Sequence, residues 1–257
     1  MIECGQKKNR SLLPFDTNRR VRQTAFARIF PVPNFKARTI MRTARTNMIE
    51  NQIRAGGVYL QNVFDSLDAI RREDFVPLPY GEYAYADMEI PLPYGQNMLT
   101  PLTEALVLQA VSVNKNDMVL EIGTGSGYMA ALLAHGARHV TTVEIEPGLK
   151  NMAANNLAHY GVENVHVVCE NGLLIERYAP DSLFDVIVFS GAVSFIPETF
   201  MNRLANNGRM VVFHENDSFI QALLLQKNPA TGQNIRLLFE TSVKSLREQP
   251  HHSHFRF

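Results

Sequence analysis

Two carboxylates, a cluster of glycines and one side-chain amide carry the chemistry available to this sequence. Glu121 interrupts the apolar run Met118-Val-Leu-Glu-Ile122, and Gly123, Gly125 and Gly127 follow at once, with Thr124 and Ser126 between them. Glu144 ends the next apolar run, 21 positions after Gly123. Asn171-Gly172 follows a third run and Ser190-Gly-Ala192 closes a fourth. Glycines directly after a strand let the backbone turn sharply and meet a ligand with no Cβ in the way. A carboxylate about 20 residues further on is placed to meet the ribose hydroxyls of a bound nucleoside. An amide at Asn171 suits adenine N6 or N1, and small residues at 190–192 suit a boundary with the reacting group. Each has a plainer reading: Glu144 as an exposed strand-end charge, Asn-Gly as a turn former, and the small residues as an aid to packing.

Regular elements must hold these ends together. Asp117–Ile122, His139–Glu144, Asn164–Cys169, Phe184–Ser190 and Gly208–His214 read as strands. Tyr128–His135, Pro147–Tyr160 and Pro197–Ala205 read as the helices between them, with Gly161 as a stop. Alternation of buried strands with helices predicts an α/β fold with a doubly wound, mostly parallel sheet. Phe219–Gln226 and Asn234–Val243 flank Asn228-Pro-Ala-Thr-Gly232 and predict a closing antiparallel hairpin. Upstream, helical periods cover Thr39–Ala55, stopped by Gly56-Gly57, and Val58–Ile70. Residues 79–101 are too rich in proline for regular structure, and Pro101 opens a helix through Val111.

The loop reads Gly-x-Gly-x-Gly, with Glu two residues upstream. That differs from the dinucleotide spacing Gly-x-Gly-x-x-Gly and is the form typical of S-adenosylmethionine (AdoMet) methyltransferases, whose sheet also closes with a hairpin. Glu121 is expected to accept backbone N–H groups of the loop or the amino group of the methionine moiety, rather than to act as an acid. The chain has no Ser/His/Asp order, no His-Glu-x-x-His and no paired carboxylates placed for hydrolysis. Methyl transfer needs none of these, because the sulfonium is already activated and a carboxylate acceptor is ionised at neutral pH.

With 46% apolar residues over 257 positions, the sequence supports one good core. Cys4 and Cys169 provide no disulfide framework and no metal spacing, a reduced cytoplasmic pattern. No apolar run is long enough for a membrane span, no metal is expected, and the three histidines of His251–Phe257 read as a tail. The zero net charge is divided: residues 1–46 carry eleven basic side chains against Glu3 and Asp16. Such a tail fits nucleic-acid or membrane binding, or targeting. We expect a plain disordered extension over 1–38, because aromatic–basic interleaving is lacking. One domain is expected over 39–257: a helical and loop subdomain at 39–100 and the AdoMet-binding core at 101–245.

From about Met48 to Val243 the chain resembles the protein-L-isoaspartate (D-aspartate) O-methyltransferases. The resemblance rests on Met48-Ile-Glu-Asn-Gln-Ile-Arg54, Arg72-Glu-Asp-Phe-Val-Pro77, Tyr85-Ala-Asp87, Pro91-Leu92, Gly95-Gln96, Val119 to Tyr128 and Phe184-Asp-Val-Ile-Val188. It implies a class I, seven-stranded methyltransferase that uses AdoMet, yields S-adenosyl-L-homocysteine and methylates the stray carboxylate of isoaspartyl residues in damaged proteins. The resemblance implies that Glu121, Gly123, Thr124, Gly125 and Gly127 cradle AdoMet, with Glu144 at the ribose, Asn171 and Gly172 at the adenine and Ser190 nearby. The sequence departs from the family in three places. Leu99 stands where the family has serine, leaving Thr100, with Asp87, as the acceptor-side candidates. Asn171 replaces an aspartate, and the usual Phe-Val-Pro-Leu is missing around Ser245-Leu-Arg247. The expected protein is a cytoplasmic monomer acting on isoaspartyl peptides. The alternatives are a small-molecule acceptor, or AdoMet binding without turnover in a module that works through its basic tail.

Overall fold

A computed structural model describes residues 35–247 apart from 197, 217, 218, 229 and 231. Residues 1–34 and 248–257, and with them most of the basic extension, Cys4 and the histidine tail, lie outside the described residues.

A seven-stranded sheet organises the molecule. Its strands are β3 (Met118–Ile122), β4 (His139–Glu144), β5 (Val165–Cys169), β6 (Phe184–Val193), β7 (Leu204–Asn216), β8 (Phe219–Asn228) and β9 (Gly232–Thr241). They lie in the order β5-β4-β3-β6-β7-β8-β9, parallel through β7 and antiparallel across the last two pairings. The doubly wound parallel sheet and the closing hairpin are therefore as the sequence predicts. The chain runs outward from β3 to β5 and then returns to place β6 on the other side of β3. This reversal opens a crevice at the carboxyl ends of the central strands.

Helices cover both faces. On one side α3 (Pro101–Val111), α4 (Tyr128–Gly136) and α5 (Pro147–Tyr160) bury Val107, Leu108, Leu132, Leu149 and Leu157 against Val119, Val140, Val186 and Val211. In α5 the buried residues Leu149, Ala153 and Leu157 recur every four positions, which keeps them on one stripe. The other side packs Ile175, Phe200 and Met201 on Leu120, Ile187, Phe189 and Val212. Strands buried on both faces must be apolar nearly throughout, and β6 is, with eight of ten residues buried.

Several boundaries differ from expectation for local reasons. The first helix, α1 (Phe35–Met48), starts four residues before the predicted Thr39 and runs into a π turn at Ile49–Ile53. Val58–Leu60 is extended, so α2 covers only Gln61–Ala69. The predicted helix Pro197–Ala205 shrinks to α6 (Glu198–Asn202). Leu204 already pairs with Phe184, and Asn207 takes a left-handed φ of 62° at a register shift. β9 ends two residues before the predicted Val243, which releases 243–247 to cross toward the crevice. The proline-rich stretch is more regular than predicted. A short antiparallel ladder joins β1 (Ile90–Pro91) to β2 (Asn97–Met98) around a 3-10 turn at Pro93–Gly95.

Candidate active site

A cleft of about 750 Å³, counting its open mouth, lies over the carboxyl ends of β3, β4, β5 and β6. Gly123 and Gly125 form its floor with left-handed φ values of 95° and 54° that glycine adopts without strain. Contact is close here: a Cβ at Gly123 would meet Leu246 at 3.1 Å, and one at Gly172 would meet Ile122 at 2.6 Å.

Glu144 holds the floor in place. Its Oε2 accepts the Gly125 N–H at 2.9 Å, and Oε1 accepts the Glu146 N–H at 3.0 Å. Each carboxylate oxygen keeps a second lone pair for a ligand hydroxyl. Asn171 forms an Asx turn in which Oδ1 accepts the Leu173 N–H at 3.0 Å, leaving Nδ2 to donate to a ligand acceptor. Ile145 and Leu173 supply apolar surface beside these two polar groups.

Of the residues singled out in the sequence, Leu99, Gly123, Gly125, Glu144, Asn171, Gly172 and Ser190 line this one cleft. Five others do not. Glu121 is fully buried beneath it, and its carboxylate accepts from Thr142 Oγ1 at 2.7 Å and Ser190 Oγ at 2.8 Å rather than from loop N–H groups. Burial pushes its pKa up to about 8 against the pull of those two hydroxyls. Thr124 is buried against Thr142, with 2.6 Å between the hydroxyl oxygens. Gly127 caps α4, where Ala153 packs against it. Thr100 is the N-cap of α3: Oγ1 accepts the Thr103 N–H at 3.2 Å and donates to Thr103 Oγ1 at 3.0 Å. Asp87 is exposed and is not among the residues that line the cleft.

The structure adds residues that the sequence reading missed. Ile145 and Leu173 each follow a predicted strand-end residue by one or two positions, so their proximity was a signal available in the sequence. The far wall is built by long-range contacts. Lys244 donates to the Gly95 carbonyl at 2.6 Å, and Arg247 donates to the Tyr94 carbonyl and pairs with Glu146 at 3.3 Å. Tyr94 holds a left-handed φ of 60°, and its ring covers Gly148 at the start of α5. Non-glycine residues in this conformation persist only where their surroundings enforce it. Leu246 packs over Gly123 and Gly191 and lines the cleft beside Leu99 and Val243.

The family model described as protein-L-isoaspartate(D-aspartate) O-methyltransferase (PCMT) matches residues 43–240. A protein-L-isoaspartate O-methyltransferase of Koribacter versatilis is 39% identical over 168 residues, 65% of this chain and 75% of that protein. Protein-L-isoaspartate O-methyltransferase 2 of Anaeromyxobacter sp. is 34% identical over 195 residues, 76% of this chain and 79% of the relative. Among solved structures, a Plasmodium falciparum β-aspartate methyltransferase (PCMT) in complex with S-adenosyl-L-homocysteine shares the fold. Its TM-score is 0.70 at 20% identity, over 81% of this chain and 99% of that one. With well over half of its length matched by the family model, the chain belongs to the protein-L-isoaspartate (D-aspartate) O-methyltransferase family.

Proposed function

We propose that this protein transfers a methyl group from AdoMet to the free carboxylate of L-isoaspartyl residues in damaged proteins. Membership of the family supports the acceptor. The observation that carries the nucleoside half is Glu144, fixed at the end of β4 with one oxygen on the Gly125 N–H and the other on the Glu146 N–H, and lining the cleft. The residues fit AdoMet. Glu144 would hold the ribose hydroxyls, and Asn171 Nδ2 would donate to the adenine, with Ile145 and Leu173 along the ring. Gly123 and Gly125 leave space where any side chain would block the methionine arm.

The bound sulfonium supplies an activated methyl group; the protein's own residues bind, align and exclude water. Leu99, Val243 and Leu246 form an apolar wall that keeps water from the acceptor carboxylate. No general base is required, since that carboxylate is already ionised. We further infer a monomeric, cytoplasmic enzyme without a nucleic-acid partner. The thiol of Cys169 is free, as a reducing compartment leaves it.

The test is transfer of labelled methyl to a peptide containing one L-isoaspartyl residue, read as base-labile methanol. Label above a no-enzyme blank, absent from the matching aspartyl peptide, is expected; none on either peptide overturns the proposal.

A further inference from the structure

The acceptor side of the cleft carries a carboxylate that the reaction itself does not require. In the ladder of β1 and β2, Ile90 stands opposite Met98 and Pro91 opposite Asn97. Continuing that register by one residue sets Glu89 opposite Leu99. Directly opposed residues of an antiparallel pair share a face, and so do residues two apart on one strand. Glu89, Asn97 and Leu99 therefore project from one face of the hairpin, and all three line the cleft. Asn97 Nδ2 donates to Glu89 Oε2 at 2.6 Å, which aims the carboxylate without neutralising it.

The remaining charges at the mouth are arranged differently. Arg247 is paired with Glu146, and the Lys244 ammonium is turned to the Gly95 carbonyl on the 3-10 turn. Glu89 is thus the carboxylate opposite Leu99 in the cleft, while the buried Arg72, which donates to the Leu99 carbonyl, is already paired with Glu104. An acceptor carboxylate brought here meets a like charge, which is unfavourable unless cations offset it. The sulfonium and the Lys244 ammonium are cations on the protein's side of this balance, and a basic side chain on the acceptor beside its reacting carboxylate adds one that faces Glu89.

We propose that Glu89 is a specificity-determining residue that selects isoaspartyl segments carrying a basic side chain next to the reacting residue. The inference rests on the isoaspartyl reading above and narrows its substrate class. Three peptides identical except for Lys, Ala or Glu directly after the isoaspartyl residue provide the test. Wild-type kcat/KM is expected to be about fivefold higher for the Lys peptide than for the Glu peptide, the scale of one partly screened ion pair. Glu89→Gln is expected to bring the three within about twofold and Glu89→Lys to reverse their order. S-adenosyl-L-homocysteine affinity, measured alongside, reports that each variant keeps its cleft. Equal wild-type rates on the three peptides, or a preference that survives Glu89→Gln, overturns the assignment while leaving the isoaspartyl reading in place. Absence of methyl transfer to every peptide by a protein that binds S-adenosyl-L-homocysteine overturns both.

Discussion

Glu144 and Gly125 lock the ligand loop to the neighbouring strand: the carboxylate at the end of β4 accepts the Gly125 N–H at 2.9 Å. One side chain therefore shapes the loop and faces the cleft. A hydrogen bond to a charged group contributes about 1.5–3 kcal/mol. Glu144→Ala is accordingly expected to weaken AdoMet binding by about 10- to 100-fold. Glu144→Gln, which can still accept the Gly125 N–H, should lose less. Calorimetric titration of the three proteins checks the order; unchanged affinity in the alanine variant would remove Glu144 from the ribose.

Two buried carboxyls, Glu121 and Glu104, contribute stability that falls as pH rises. Burial raises Glu121 from the ordinary 4.5 to about 8, and Glu104 from 4.5 to about 7 despite its pairing with Arg72. A carboxyl whose folded pKa exceeds its unfolded value favours folding most when both states are protonated. That contribution is complete below pH 4.5 and is lost as pH rises through 7 to 8. The melting temperature should therefore decline between pH 5 and 8.5 by more than in Glu121→Gln, in which one of these groups cannot ionise. Thermal scans across that range decide the matter, and parallel curves for the two proteins would refute the assignment to Glu121.

Arg72 connects the buried interior to the cleft wall. It pairs with Glu104, donates to the Leu99 carbonyl at 2.6 Å and lies 5.1 Å from the centroid of the Tyr128 ring. Arg72 and Glu104 are 1% and 3% exposed at their side chains, so removing one partner strands the other. Arg72→Met is expected to cost about 3–5 kcal/mol in urea denaturation. The double variant Arg72→Met/Glu104→Leu should recover part of that loss, because no charge is left buried. A double variant no more stable than Arg72→Met would show that the Leu99 contact, not the ion pair, dominates.

How far the sequence revealed this site depended on the range of the interactions involved. Helix α5 coincides with its predicted span because Pro147, Gly161 and a four-residue apolar repeat are local signals. Glu144 was legible because it ends β4, and Asn171 because it follows β5 by two residues, each after an apolar run that stands out. Glu121 has the same kind of position, yet its partners are Thr142 on β4 and Ser190 on β6. Which of two neighbouring strands offers a hydroxyl depends on register, and register is not written in either strand alone. The hairpin that carries Glu89 was hidden for another reason. Its strands have two residues each, Pro91 among them, so no period of two could emerge. Lys244 and Arg247 reach Gly95 and Tyr94 across about 150 residues of sequence, beyond the reach of any local pattern.

Thr100 supplies the last prediction, because its position beside Leu99 suggested an acceptor hydroxyl and its geometry gives it a different task. Both hydrogen bonds of its Oγ1 go to Thr103, which fixes the first turn of α3. Loss of an N-cap side chain costs about 1 kcal/mol. Thr100→Val should therefore lower stability by about that amount while methyl transfer to an isoaspartyl peptide changes by less than about threefold. Leu99→Ser probes the neighbouring position, where a hydroxyl would enter the cleft, next to Glu89. Because Leu99 is buried, this truncation should alter turnover and also move the denaturation midpoint further than Thr100→Val does, costing the about 2–5 kcal/mol of a large-to-small core change. Steady-state kinetics and urea unfolding on the same preparations separate the two. A collapse of turnover in Thr100→Val with its stability intact would return the hydroxyl of residue 100 to the reaction.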